Sequence, residues 1–158
     1  MVRREEVGDD LRKLVFEFFF RFSRFESALK ERGYLQWSKP GDKAAPGWRK
    51  FAAEHREAYQ PNEAALDLIE AKPKIQVIAQ NGGLDFEHEN IPENVAILDR
   101  VIAHAHTVRN NLFHGGKHGS GGGWDDPVRM TMLLTSTIGV LDDLADRGGF
   151  GGDYTGYY

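Results

Sequence analysis

Val108-Arg109-Asn110-Asn111-Leu112-Phe113-His114-Gly115-Gly116-Lys117 closes one kind of sequence and opens another. Upstream of it, Val95, Leu98, Val101, Ile102, Ala105, Val108 and Leu112 recur three or four apart, as one face of a helix requires, and Pro92 suits the helix start. Gly115 and Gly116 supply the backbone freedom that ends helices, and residues 117–123 read as a glycine-rich loop. The stretch predicts a long helix over 92–114 with an arginine, a carboxamide and a histidine in its last turns. Histidine moves a proton near neutral pH, and arginine holds the charge that builds on a phosphate under attack. On a continuous helix five residues turn about 500°, which leaves Arg109 and His114 about 140° apart. A stop near Phe113 would let His114 swing round toward Arg109.

Working outward, the remaining periodicity is also helical. Leu11, Leu14, Val15, Phe18, Phe22, Phe25 and Leu29 form the stripe of a first long helix within 5–33, with Gly33 as its stop. Phe16, Phe19 and Phe20 lie off that stripe, so a second surface must cover them, either other helices of the same chain or a second copy. Residues 34–47 carry Pro40, Gly41, Pro46 and Gly47 and read as a connection with a mobile tip. A short helix is expected over 48–59, and Asn62 caps another that runs to Ala71 and ends at Pro73. Residues 74–79 are apolar and read equally as extended chain or a turn of helix, closed by Asn81-Gly82-Gly83. Asp125 or Asp126 caps a last helix whose inner stripe is Met130, Leu134, Ile138, Leu141 and Leu144. The expectation is an all-α bundle over 1–147, two long core helices flanking the motif loop, and a flexible glycine- and tyrosine-rich tail over 148–158.

Composition narrows the function. The chain of 158 residues suits one domain. It carries 20 basic and 24 acidic side chains, so it cannot bind nucleic acid simply as a polycation. Residues 1–50 hold 12 basic and 8 acidic residues, which makes that third the expected phosphate-facing surface. No cysteine is present, which removes disulfides, thiolate nucleophiles and cysteine-held zinc. Met1 to Asp10 is charged and lacks a signal-peptide core, and Leu14–Phe20 is too short for a membrane span, so a soluble cytoplasmic protein is expected.

Arg109, Asn110 and His114 resemble the signature of the HEPN superfamily, all-helical ribonuclease and toxin-related domains: arginine, a polar residue that is often asparagine, and histidine after four to six intervening residues. Phe22-Ser23-Arg24-Phe25-Glu26-Ser27-Ala28-Leu29-Lys30 is similar to the opening helix of a bacterial subgroup of that superfamily, and the order of helices matches along most of the chain. The resemblance implies a homodimer in which two motifs meet to form one RNA-cleaving cleft that needs no metal or other cofactor. It implies that His114 acts as general base or acid, Arg109 stabilises the phosphorane and Asn110 orients the phosphate. Arg21, Arg24, Lys117 and His118 are then candidates for gripping the strand. A toxin or antiphage effector is the implied role, with an antitoxin or defence-system partner and no membrane. Toxin members often carry a tyrosine two positions after the histidine; here that residue is Gly116, which puts silencing by tyrosine modification in doubt.

Other readings of the same residues stand beside this one. Arg109 and His114 can be a helix-end ion pair and cap, Asn110 a backbone-bonding residue, and Glu26 a buried partner for an arginine, Arg109 included. His104, His106, His114 and His118 invite a zinc site, but His104 and His106 differ by about 200° around a helix. The rival function is a helical dimer that senses RNA or nucleotides, or recruits a protein, without cleaving.

Overall fold

The computed structural model describes residues 7–114 and 126–156. These form helices α1 (Asp9–Glu31), α2 (Trp48–His55), α3 (Glu63–Ala71), α4 (Ile97–His114), α5 (Pro127–Arg147) and α6 (Gly151–Thr155), with strands β1 (Lys74–Ile78) and β2 (Leu84–His88) between α3 and α4. The fold is mostly helical, in rough agreement with the all-α expectation, and carries one antiparallel hairpin besides. The ambiguous segment 74–79 is its first strand, paired from Lys74 opposite His88 to Ile78 opposite Leu84. Gly82 takes φ +80°, and Asn81 Oδ1 accepts from the Gly83 amide across 2.9 Å, so the turn chemistry closes the ladder locally.

α1 and α5 lie along each other and end in the same way. Gly33 follows α1 at φ +81°, the Tyr34 amide bonds back to the Leu29 carbonyl, and the Gly33 amide to that of Lys30. Gly149 follows α5 at φ +66°, with Phe150 bonded to Ala145 and Gly149 to Asp146. This double bond pattern is a Schellman cap, which turns the chain across the helix end and directs the next apolar residue inward. Phe150 is therefore fully buried, and its ring centroid lies 5.4 Å from Phe25 and 5.6 Å from Phe51.

The expected flexible tail is thereby corrected: residues 148–156 belong to the folded domain. Tyr154 of α6 is buried and donates to Asp142 across 2.6 Å. Arg24, 6% exposed, donates to the carbonyls of Asp153, Tyr154 and Gly156 and so satisfies the end of α6.

Phe25 is the centre of the core, with Trp48, Phe51, Phe150 and Tyr154 around it. α3 is capped by Asn62, whose Oδ1 accepts from the Ala65 amide, and α5 by Asp126, which accepts from Arg129. α4 starts at Ile97, five residues later than Pro92 suggested. Pro92 instead opens a turn, its carbonyl accepting from the Val95 amide and from the Arg100 guanidinium. Phe22 meets His106 and Phe19 meets Phe113, so α4 runs antiparallel to α1. Among the described residues, no helix is long and apolar enough to cross a membrane.

Candidate functional site

α4 remains helical through His114, so the expected swing of His114 toward Arg109 does not occur. At about 100° per residue, the end of this helix instead divides its polar residues between two faces. His106, Arg109 and Phe113 face α1. Thr107, Asn110, Asn111 and His114 face the hairpin.

On the first face the Arg109 guanidinium carbon lies 5.9 Å from the ring centroid of Phe22 and 5.4 Å from that of Phe113. Two aromatic rings hold the cation by its quadrupole attraction while leaving its N–H groups available. One of them, Nη1, donates to Asn110 Oδ1 across 3.2 Å. On the second face Asn110 and His114, one turn apart, line a small cleft of about 240 Å³ with Thr107, Asn111 and residues Ile75 and Gln76 of β1. Asn111 is structural there: its Nδ2 donates to the Lys74 carbonyl across 2.7 Å and ties the helix to the strand. Asn110 is thus the link between the arginine and the histidine, bonded to one and sharing a cleft with the other.

Beneath Arg109 lies a second cluster. The His106 ring packs edge-on against Trp48, with centroids 4.8 Å apart, and against Phe22 at 5.7 Å. Trp48 Nε1 donates to Glu26 across 3.0 Å, so Glu26 is spent on the indole, not on Arg109 as its surroundings suggested. Burial pushes the His106 imidazole below its ordinary pKa and the nearby Arg109 adds to that, against a smaller opposing pull from Glu26 than from burial. His104 turns the opposite way, toward His88, Glu89 and Arg100, and its Nδ1 has no hydrogen-bond partner among the described residues. The two histidines therefore face different surroundings, as their angular separation on the helix required.

The residues expected to grip a strand divide as well. Lys117 and His118 lie outside the described residues, as does the glycine loop around them. Arg24 is corrected: a buried guanidinium committed to three carbonyls cannot reach a phosphate. Arg21 is half-buried and paired with Glu17 and Asp142, two carboxylates that hold its pKa above the ordinary value. Its charge is already balanced.

The sequence reading missed Phe22, His106 and Phe113 as neighbours of Arg109. Spacing alone held the signal for two of them, since His106 and Phe113 stand three residues before and four after Arg109. Comparison of the chain with protein-family models, with curated proteins and with solved structures finds no match.

Proposed function

We propose that this protein is a metal-independent endoribonuclease of HEPN type that acts as a homodimer. The observation that carries the reading is Asn110: it holds the aromatic-seated Arg109 on one side and shares a cleft with His114 on the other. A phosphodiester lying along Asn110 would find a cation for its non-bridging oxygens and an imidazole for its proton transfers.

One copy offers a single imidazole beside Asn110, whereas the proposed reaction needs one to take a proton and one to give it, and a dimer supplies the pair. An aromatic patch beside Arg109 offers the contact: Phe16 is 64% exposed, Phe19 47%, Phe20 41% and Phe113 48%. Phe19 and Phe113 touch, and Phe16 stacks on Phe20. A contiguous apolar patch of this kind on a soluble domain marks an interaction surface. A second copy seated there by a twofold axis would bring the two Arg109 side chains, and the ends of the two α4 helices that carry Asn110 and His114, toward each other.

In the proposed reaction the ribose 2′-oxygen attacks its own phosphorus, and the bond from phosphorus to the 5′-oxygen breaks. His114 of one copy takes the 2′-proton, and His114 of the other gives a proton to the leaving 5′-oxygen. Arg109 stabilises the phosphorane, and the products are 2′,3′-cyclic phosphate and 5′-hydroxyl ends. DNA lacks the attacking hydroxyl and would survive. A toxin or antiphage effector is the proposed role, with cellular RNA as substrate.

The test is cleavage of total RNA in EDTA by the parent protein and by His114→Ala. Cleavage that persists in chelator, leaves cyclic phosphate ends and disappears in the variant is the expected result. A variant that cuts as well as the parent overturns the assignment of His114. A second reading, a non-cleaving RNA-sensing or protein-recruiting dimer, is favoured by the acidic charge balance. It predicts RNA binding without cutting by either protein.

A further inference from the structure

A cleft of about 800 Å³ opens on the far side of His106 from Arg109, between α4, the start of α2 and the connection 34–47. Its lining includes three aromatic rings, those of Trp37, Trp48 and His106. Trp48 has its indole plane set by the hydrogen bond to Glu26, and His106 stands edge-on to it. Trp37 is 48% exposed, yet it does not hang on a loose loop: Leu35 bridges to Pro46, and the Gln36 amide bonds to the Ala45 carbonyl across 2.9 Å. A half-exposed indole on a pinned backbone covers little of the protein's own core.

The charge at the cleft mouth is equally unaccounted for by stability. Arg49 and Lys50 line it and are exposed, and their side chains make no hydrogen bond or ion pair among the described residues. Both stand in the first turn of α2, where the helix dipole disfavours cations. The nearby carboxylate, Asp99, is occupied by Arg56 through two hydrogen bonds of 2.9 and 3.0 Å. The mouth is therefore net positive. It sits beside the half-exposed Trp37 ring.

We infer that this cleft is a base-binding subsite, in which one unstacked nucleotide of a single-stranded RNA lies against the half-exposed Trp37, with the buried Trp48 as part of the cleft floor, and its phosphate toward Arg49 and Lys50. The inference rests on the ribonuclease reading for the strand that continues to Arg109. Proximity supports it: His106, which lines the cleft, and Arg109 stand three residues apart on α4, and both pack against the buried Phe22 ring. His106 and Arg109 are also separated by only about 4.5 Å along the helix axis. A paired base has both faces covered by its neighbours, so a stacking cleft selects single strands, loops and bulges over duplex. The subsite would decide which RNA is held and where the phosphate at Arg109 falls.

The experiment is fluorescence anisotropy of an end-labelled single-stranded oligoribonucleotide on the full chain, in the His114→Ala background so that the probe stays intact. Trp37→Ala is expected to raise Kd about tenfold, and Trp37→Phe to restore most of the binding, because stacking needs a ring and not an indole N–H. Circular dichroism melts check that Trp37→Ala folds, which exposure of the side chain favours. The pair Arg49→Glu and Lys50→Glu should weaken binding further and flatten its salt dependence. Kd unchanged within twofold in Trp37→Ala, or duplex RNA binding as tightly as single strand, overturns the subsite. A 5′-mononucleotide that binds as tightly as the oligomer, read by tryptophan quenching, overturns the strand assignment in favour of a free-nucleotide site. Trp37-dependent binding without cleavage by the parent keeps the subsite and sinks the nuclease. Cleavage with KM unmoved by Trp37→Ala does the reverse.

Discussion

Tyr34 and Phe150 occupy the same position past the ends of α1 and α5, and their rings meet with centroids 6.1 Å apart. Each follows a glycine of positive φ, Gly33 or Gly149, so two equivalent caps close the same end of the core. Phe150→Ala empties a fully buried site and is expected to cost about 3–5 kcal/mol, lowering Tm by roughly 10 °C. Gly149→Ala places a Cβ on left-handed backbone and costs about 1–2 kcal/mol. Thermal melts compare both with the parent. A Phe150→Ala variant as stable as the parent would return residues 148–156 to the status of a loose tail.

The bond from Arg109 Nη1 to Asn110 Oδ1 makes the two residues one electrostatic unit. Asn110→Asp would draw the guanidinium onto a carboxylate and repel the phosphate, whereas Asn110→Ala only removes the link. RNA cleavage is expected to fall further in the aspartate variant than in the alanine one. Arg109→Lys, which loses the planar fork, should fall by about 100-fold or more. Equal rates for the two Asn110 variants would separate Asn110 from the phosphate.

The exposed phenylalanines predict association. Phe16→Glu with Phe20→Glu should shift the protein to monomer in sedimentation while its far-ultraviolet dichroism is retained, because neither ring is buried in the core. Cleavage should be lost with the dimer. A monomer that still cuts RNA at the parent rate would exclude a composite site.

Burial lowers the pKa of His104 and of His106, with Arg100 adding to the first effect and Arg109 to the second. The unfolded chain then binds protons, below its ordinary pKa of about 6.5, that the folded chain refuses. The contribution to stability is full above about pH 6.5 and is lost as pH falls through the depressed folded values. Tm should drop between pH 7.5 and pH 5, and His104→Leu should shrink the drop. Superimposable pH profiles would mean that His104 does not contribute.

α3 crosses α5 at Gly139, where an added Cβ would stand 2.7 Å from Ala64 Cβ. Gly139→Ala alone is expected to destabilise by about 1–3 kcal/mol despite the better helix propensity of alanine. The exchange Ala64→Gly with Gly139→Ala should recover part of the loss, since the pair then shares one methyl as before. Strict additivity of the two changes in urea unfolding would show that the contact is not shared.

Local rules in the sequence determined much of this protein. The apolar stripes of α1, α4 and α5, the Asn62 and Asp126 caps, the Gly33 stop and the turn at Asn81-Gly82-Gly83 were legible because each depends on residues within a few positions of one another. Gly149-Phe150 carried the same signal as Gly33-Tyr34, but it stood in a glycine-rich stretch whose composition reads as unfolded, and only the space between α1 and α2 shows that Phe150 has a place to go. The three-residue motif Arg109, Asn110 and His114 was likewise visible, while its orientation was not. A helix that continues through His114 turns the histidine away from the arginine, and that depends on Asn111 being tied to β1, a strand 37 residues upstream. Arg24 read as a surface cation because nothing local says that the carbonyls of Asp153, Tyr154 and Gly156 will close over it. Sequence by itself determined the five longer helices and which residue types carry the chemistry; tertiary structure decided the short α6 and which residues meet, because burial and long-range hydrogen bonds join residues that no short window contains.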